Sequence, residues 1–291
     1  MRSEFAPAKV NLFLHVGSLR ADGFHPICSL MAFADIGDRL TAASTDRFEL
    51  RIEGPTRDQA PAGDDNLVTR AARALFAKAG IAEPTLRLTL HKSLPAEAGL
   101  GGGSSDAAAA LRLLRTELGL VVSDDGLQAV AAQLGSDVPA CLLARPVLAQ
   151  GRGERLTPAC GLPELPAVLV RPPVSASTAA VYRAFDEGHA AHASAHAQAL
   201  PDGLGSPAAA AEFLLTCRND LEAPAVALQP AIGEALDQLR SAPETLLARM
   251  SGSGSACFAL CADDAAAAAL ADRLRALRPS WWVQVCRLGG S

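Results

Sequence analysis

Four glycines fall within five residues in the stretch Leu94-Pro95-Ala96-Glu97-Ala98-Gly99-Leu100-Gly101-Gly102-Gly103-Ser104-Ser105-Asp106. No strand or helix interior favours that density, because glycine loses the most backbone entropy on ordering and packs no side chain. The run therefore reads as a loop, and its flanks say which kind. Upstream, Thr85 to His91 alternates with Leu86, Leu88 and Leu90 on one face, as a half-buried strand does, and Pro95 breaks the pattern. Downstream, Asp106 to Leu118 reads as a helix, with two serines and an aspartate suited to its N-cap. Strand, glycine loop and helix N-terminus in that order form a phosphate cradle. Free N–H groups and the positive helix end attract the anion, and glycines let the backbone approach it. Taken alone, the run also fits a plain turn leading into a capped helix.

Two common phosphate loops are excluded. A P-loop needs Gly-Lys-Ser/Thr, and no lysine follows these glycines. A dinucleotide fingerprint needs G-x-G-x-x-G, and counting from Gly99 the last position is Ser104.

The 291 residues suffice for two domains with ample core. Apolar residues make up 49% but aromatics only 4%, so the core is expected to be built from alanine and leucine. A net charge of −5 with no basic stripe gives nucleic acid no electrostatic footing. No apolar run reaches the roughly 18–20 residues a membrane span requires, and Met1 to Val16 lacks a signal-peptide pattern, so a soluble cytoplasmic protein is expected. Seven cysteines without a C-x-x-C pair read as free thiols. Only three of the 26 basic residues are lysines, Lys9, Lys78 and Lys92. Lys9 and Lys92 both lie beside the motifs described below, which fits either chance placement or a need there for a compact ammonium.

Along the chain, residues 5–19 alternate as a strand, 20–26 form a loop and 29–53 hold strand-like pieces, including 48–53. Leu67–Ala79 is an amphipathic helix preceded by Asn66 and ended by Gly80. Residues 124–134 read as a helix, 135–139 as a tight turn, and 140–143 as a lead into a short strand. A strand at 167–170 and a helix at 175–185 follow; residues 186–210 are a low-complexity Ala/His/Gly/Pro segment, expected as a mobile loop or loose insertion. Helices near 212–217, 219–228 and 230–240 precede a glycine cluster, Ser251-Gly-Ser-Gly-Ser255, flanked by strand-like 246–250 and 256–261. A helix at 263–277 and a strand at 281–288 close the chain, with Trp281 and Trp282 expected as core. Strands and helices mix without βαβ alternation, which indicates an α+β fold in two halves joined near residue 155.

Taken together, Pro95-Ala-Glu-Ala-Gly99-Leu-Gly101-Gly-Gly-Ser104-Ser105, Ala6-Pro-Ala-Lys9-Val-Asn11, Arg20-Ala-Asp-Gly-Phe24-His25, Leu134-Gly-Ser-Asp137-Val-Pro139 and Ser251-Gly-Ser-Gly-Ser-Ala-Cys-Phe258 resemble the ordered motifs of the GHMP kinase superfamily. The match spans nearly the whole chain. The Gly-Gly-Gly-Ser-Ser variant is similar to one branch, whose substrate is a cytidine-diphosphate-linked methylerythritol of the non-mevalonate isoprenoid pathway.

The resemblance implies an N-terminal ribosomal-S5-like domain over 1–155 and a C-terminal ferredoxin-like domain over 156–291. It also implies ATP-dependent phosphorylation of the substrate's 2-hydroxyl by a monomer or weak homodimer. Asp137 would be the catalytic carboxylate and Lys9 its partner. Pro95, Ala96, Glu97, Ala98, Gly99, Leu100, Gly101, Gly102, Gly103, Ser104 and Ser105 would hold ATP, with Asn66 near the adenine end and Lys92 beside the nucleotide. Asn11, Phe24, His25, Thr178 and Tyr182 would bind substrate, the last two as a wall behind the cytosine. Mg²⁺ would bridge the phosphates, with Ser104 or Ser105 as available protein ligands. The family often has glycine at Ala98 and tyrosine at Phe24, so Ala98 is expected to constrain the loop slightly. On residue type alone, Asp137 also suits an N-cap, Lys9 a solvated strand, His25 a turn, and Gly252 and Gly254 a hairpin. His189, His192 and His196 have metal-ligand spacing but read as a solvated segment.

Overall fold

The buried pattern of the first strand shapes everything near the site. In the computed structural model, which describes residues 2–189, 195, 200–201 and 204–289, β1 (Ser3–Val16) is buried on both faces from Ala6 onward. Polar residues caught in that run, Lys9, Asn11 and His15, are therefore taken inside. A buried polar group must find partners, so these positions are constrained well beyond ordinary strand residues.

The chain divides into two compact units, each assembled from separated stretches. The first comprises Met1–Lys9, Ile36–Ala96 and Gly101–Ala144. It contains the later part of β2 (Ile27–Ser44), then β3 (Glu49–Glu53), α1 (Leu67–Ala79), β4 (Leu86–His91), α2 (Gly102–Glu117), α3 (Asp124–Leu134) and α4 (Val138–Leu143). β2 runs antiparallel to β4, with Leu40 opposite Leu90, and β3 lies parallel on the far side of β4, with Leu50 opposite Leu88. α1 has the bounds expected of it: Asn66 caps its start and Gly80 ends it with φ 68. On α2 the four alanines from Ala107 to Ala110 are buried together with Leu111, Leu113 and Leu114. Small side chains let neighbouring helices approach closely, and each fully buried leucine adds about 1.5–3 kcal/mol.

The second unit comprises Val10–Asp35, Glu97–Leu100 and Arg145–Ser291. It adds β5 (Val147–Gly151), β6 (Arg155–Pro158), β7 (Leu165–Arg171), α5 (Thr178–His189), α6 (Pro207–Leu215), α7 (Glu222–Leu228), α8 (Pro230–Arg240), β8 (Thr245–Met250), β9 (Cys257–Cys261), α9 (Asp264–Leu277) and β10 (Trp282–Leu288). β10, β7, β9 and β8 pair in that order, all antiparallel. The early part of β2 pairs with β5, Leu30 opposite Leu148. α8 turns Ile232, Ala235, Leu236 and Leu239 inward, the i, i+3, i+4, i+7 stripe of a packed helix. They join Val168, Val170, Leu270, Leu274 and Trp281 in one core.

The α+β class agrees with expectation, and several local readings change. α2 starts at Gly102 rather than Asp106. Residues 138–143 form a short helix instead of a turn leading to a strand; the strand comes at β5 and hairpins with β6. The expected loose segment 186–210 is helical at both ends, because α5 reaches His189 and α6 starts at Pro207 behind a Ser206 cap. His192 and His196 lie outside the described residues, as does the side chain of His189.

Candidate active site

In the first unit, Lys9 on β1 is 3% exposed, and its Nζ lies 3.0 Å from Oδ2 of Asp137. Asp137 sits at the N-cap position of α4, yet its side chain makes no capping hydrogen bond. The carboxylate is turned to the lysine instead and keeps about a third of its surface open, at 32%. Beside the pair, burial pushes the Cys141 thiol up to about 12, so it stays protonated.

The loop meets the same lysine. Gly101 is the N-cap of α2, in the left-handed region at φ 62, and a Cβ there would stand 3.1 Å from Cβ and Cε of Lys9. The first intrahelical bond runs from Ser105 N–H to Gly101 O at 2.8 Å. No side chain caps this end, so the N–H groups of Gly102, Gly103 and Ser104 have no intrahelical acceptor. Such an end binds anions. The Ser105 hydroxyl donates inward to Pro7 O at 2.6 Å and is fully buried, which does not fit a metal ligand. Ser104 is half-buried and fits that role.

Asp106 does not cap α2. It is buried, and with buried Asp38 it flanks the ammonium of Lys92: Nζ donates to Asp38 and, at 2.8 Å, to Asp106 Oδ2. Asp38 Oδ1 accepts the N–H groups of Ser93 (2.5 Å) and Leu94 (2.9 Å), where the chain enters the glycine loop. Two buried carboxylates share one cation. Burial, reinforced by the charge of Asp38, therefore raises the Asp106 carboxyl to about 8. Burial alone would lower Lys92, but Asp106 and Asp38 outweigh it and hold the ammonium above its usual range. The Lys92 head is thus committed to an internal tie between β4 and α2. Asn66 is likewise engaged: Oδ1 accepts from Val68 N–H at 2.9 Å and Nδ2 donates to Pro61 O at 2.8 Å.

In the second unit, the loop residues Glu97–Leu100 meet the C-terminal glycine cluster. Ser251 Oγ donates to Gly99 O at 2.9 Å and accepts the Asn11 N–H at 3.1 Å. Ala256 N–H donates to Ala98 O at 2.9 Å. Gly99 has φ 71, and a Cβ there would lie 2.3 Å from Ser251 O, a distance no side chain tolerates. Within the loop Glu97 is the non-glycine residue in the left-handed region, at φ 50. Asn11 Nδ2 donates to Ser29 Oγ at 2.7 Å. Two residues that sequence reasoning did not single out fix the cluster. Asn219 Nδ2 donates to Met250 O and Gly252 O, each at 2.8 Å. Buried Arg249 donates to the carbonyls of Leu12, Leu214 and Cys217.

The same unit gathers the other expected substrate residues. His25 Nδ1 lies 2.8 Å from Gly17 O, which can only accept, so that nitrogen carries a proton. Its ring lies 5.0 Å from Tyr182 and 5.8 Å edge-on from Phe185, and its Nε2 is 3.5 Å from Asp186. Phe185 and Asp186 join through helical spacing from Tyr182, a signal the sequence carried but which named no ligand. Thr178 and Ser253 share a hydroxyl hydrogen bond of 2.8 Å. Phe24, next to His25, is 51% exposed. Among the described residues, no cluster of three or more His, Cys, Asp or Glu is arranged to hold a metal ion. Among them, too, no helix is long and apolar enough to cross a membrane.

Comparison with known proteins identifies the family. The family described as GHMP kinases N terminal domain matches residues 66–145, and GHMP kinases C terminal matches residues 198–279. The chain belongs to the GHMP kinases, a family of small-molecule phosphotransferases. It is 57% identical over 288 residues to the 4-diphosphocytidyl-2-C-methyl-D-erythritol kinase of Caulobacter vibrioides (strain NA1000 / CB15N), covering 98% of this chain and 99% of the relative. A crystal structure of 4-(cytidine 5'-diphospho)-2C-methyl-D-erythritol kinase superposes with a TM-score of 0.78 at 36% identity over the full length of both chains. The chain falls in that branch of the family. Homoserine kinase from Cytophaga hutchinsonii ATCC 33406 shares the fold, with a TM-score of 0.68 at 18% identity over 97% of this chain and 93% of that one.

Proposed function

We propose that this chain transfers the γ-phosphoryl group of ATP to the 2-hydroxyl of 4-diphosphocytidyl-2-C-methyl-D-erythritol. The observation that carries the chemistry is the Lys9–Asp137 pair at 3.0 Å, with the lysine stem against Gly101 of the glycine loop. The 57% identity to a kinase named for that substrate supports the choice of acceptor. Phosphoryl transfer depends mostly on positioning and charge. Asp137 accepts a hydrogen bond from the acceptor hydroxyl and takes its proton. Lys9 orients that carboxylate, and its charge offsets that on the moving group. The residues from Pro95 to Ser105 receive the phosphates through backbone N–H groups at the start of α2. Bound ATP supplies the phosphoryl group, and Mg²⁺ neutralises phosphate charge, with Ser104 the available protein oxygen. Asn11, Phe24, His25, Thr178 and Tyr182 are assigned to the substrate, the last four to its cytidine end. Asn66 and Lys92 act at the nucleotide end through the helix and loop they brace.

We place the enzyme in the cytoplasm, as a monomer or weak homodimer, in keeping with its seven free cysteines. The test is an ATP-consumption assay on purified protein. Turnover is expected with the cytidylated methylerythritol and not with mevalonate or homoserine, and Mg²⁺ chelation should stop it without lowering the melting temperature. Equal rates on all three acceptors would refute the proposed acceptor.

A further inference from the structure

Phe24 is a large apolar ring that is half exposed, and it is not left loose. The Cζ of Arg152 stands 4.4 Å from its ring centroid. Arg152 Nη2 also donates to Asp22 Oδ2 at 2.8 Å, and Asp22 Oδ1 accepts the N–H of Phe24 at 3.1 Å. Arginine, carboxylate and ring thus close a three-membered circuit. The Phe24 N–H, and after it Arg152, hold the Asp22 carboxyl below its ordinary range, so the circuit stays charged at neutral pH.

The backbone aims both partners. Residues 20–24 fold on themselves through Arg20 N–H to Phe24 O at 3.0 Å and Gly23 N–H to Arg20 O at 2.9 Å. Arg152 lies at the tip of the β5–β6 hairpin between two left-handed glycines, Gly151 at φ 75 and Gly153 at φ 107. Gly153 N–H closes that turn on Gln150 O at 3.1 Å. The β2–β5 pairing, with Gly151 opposite Ile27, brings the hairpin tip beside this loop, and there Arg152 turns its side chain to Asp22, 130 positions away in sequence. An exposed ion pair alone stabilises little, so stability does not account for the arrangement.

We infer that Arg152 is a positioning residue for the substrate, holding the Phe24 ring as a stacking platform for a pyrimidine base. This rests on the assignment above of Phe24 and His25 to the cytidine end. A planar guanidinium covers one face of the ring and keeps it from collapsing, while the ring's remaining surface is free for a flat base. Arg152 thereby acts on the base through Phe24, without needing to touch it.

The experiment is a double-mutant cycle read in steady-state kinetics, varying 4-diphosphocytidyl-2-C-methyl-D-erythritol at saturating ATP, with titration calorimetry of cytidine 5′-diphosphate alongside. Exposed cation–π contacts correspond to roughly two- to fivefold in affinity. R152L should raise the substrate KM by about that factor, leave the ATP KM alone and change kcat less than twofold, and R152K should fall between it and the parent. In an F24L background, R152L should add nothing. An R152L effect that persists undiminished in that background would overturn the inference, because the arginine would then act on the substrate directly. So would an unchanged KM in R152L when F24L raises it; the cytidine assignment would then stand without Arg152. An F24L variant with unaltered KM would remove the assignment and the inference together.

Discussion

Asp137 occupies an N-cap position but gives its carboxylate to Lys9, 3.0 Å away, instead of to the helix. A capping aspartate stabilises its helix by about 1 kcal/mol. Here that stabilisation is forgone and the side chain stays partly open to solvent, as expected of a group that must meet a ligand. D137N should therefore lower kcat by about 10²–10⁴-fold, the range for loss of a general base. Because no cap bond is lost, the melting temperature should move by only a few degrees. A large drop in stability with modest loss of kcat would assign Asp137 a structural role.

The Asp38–Lys92–Asp106 group makes stability depend on pH. Asp106 ionises near 3.8, the ordinary aspartate value, when unfolded and at about 8 when folded. Between these values the folded state binds more protons, so stability falls as pH rises and levels off above about 8. Asn at 106 abolishes that ionisation. Denaturant titration at pH 5 and pH 8.5 should show the parent losing stability between the two while D106N loses markedly less. Identical pH slopes in both proteins would contradict the arrangement.

The glycines of the loop differ in what they do. G99A places a methyl 2.3 Å from a backbone oxygen, so the loop must move and activity should be lost. G101A presses on the stem of Lys9 at 3.1 Å and is strained by φ 62, so it should lower both activity and stability, the latter by about 1 kcal/mol. G103A meets only Leu67 Cδ1 at 3.5 Å and lies within a helix; it should raise stability by up to about 1 kcal/mol. Melting curves paired with kinetics separate the three.

Thiol counting tests the core. Six of the seven cysteines are buried and only Cys160 is exposed. Burial also raises Cys141, Cys217, Cys257, Cys261 and Cys286, which keeps them as unreactive thiols. A maleimide should label one thiol per chain in buffer and seven in denaturant, and C160S should label none in buffer.

How much of this was legible in the sequence depended on how local the cause was. α1 is written in its own residues: Asn66 caps it, a left-handed glycine ends it, and its bounds agree with the sequence reading. The start of α2 reads four residues late in the sequence, because Asp106 suits an N-cap by residue type. Its carboxylate is drawn inward by Lys92, and the helix starts on a bare glycine backbone. α4 is six residues long, too short for periodicity to reveal. Asp38, Asn219 and Arg249 carried no local signal, since their partners are distant in the chain; Arg249 bonds Leu12 O across 237 positions. The pairing of Lys9 with Asp137 was expected only through resemblance to a family, for nothing in either segment points to the other.

One feature of the second unit sets the order in which the protein can be made. Asp35, at the end of the early part of β2, accepts the N–H of Arg287 on β10, 252 positions later, and Leu288 lies opposite Ala34. A ribosome adding about 5–20 residues per second leaves that edge of β2 without this partner for roughly ten seconds to a minute. Through that interval the nascent chain presents an unpaired strand edge, the kind of surface on which chains join one another. The pairing that completes this part of the second unit thus waits on residues made 252 positions after Asp35, and until then this edge of β2 needs some other cover.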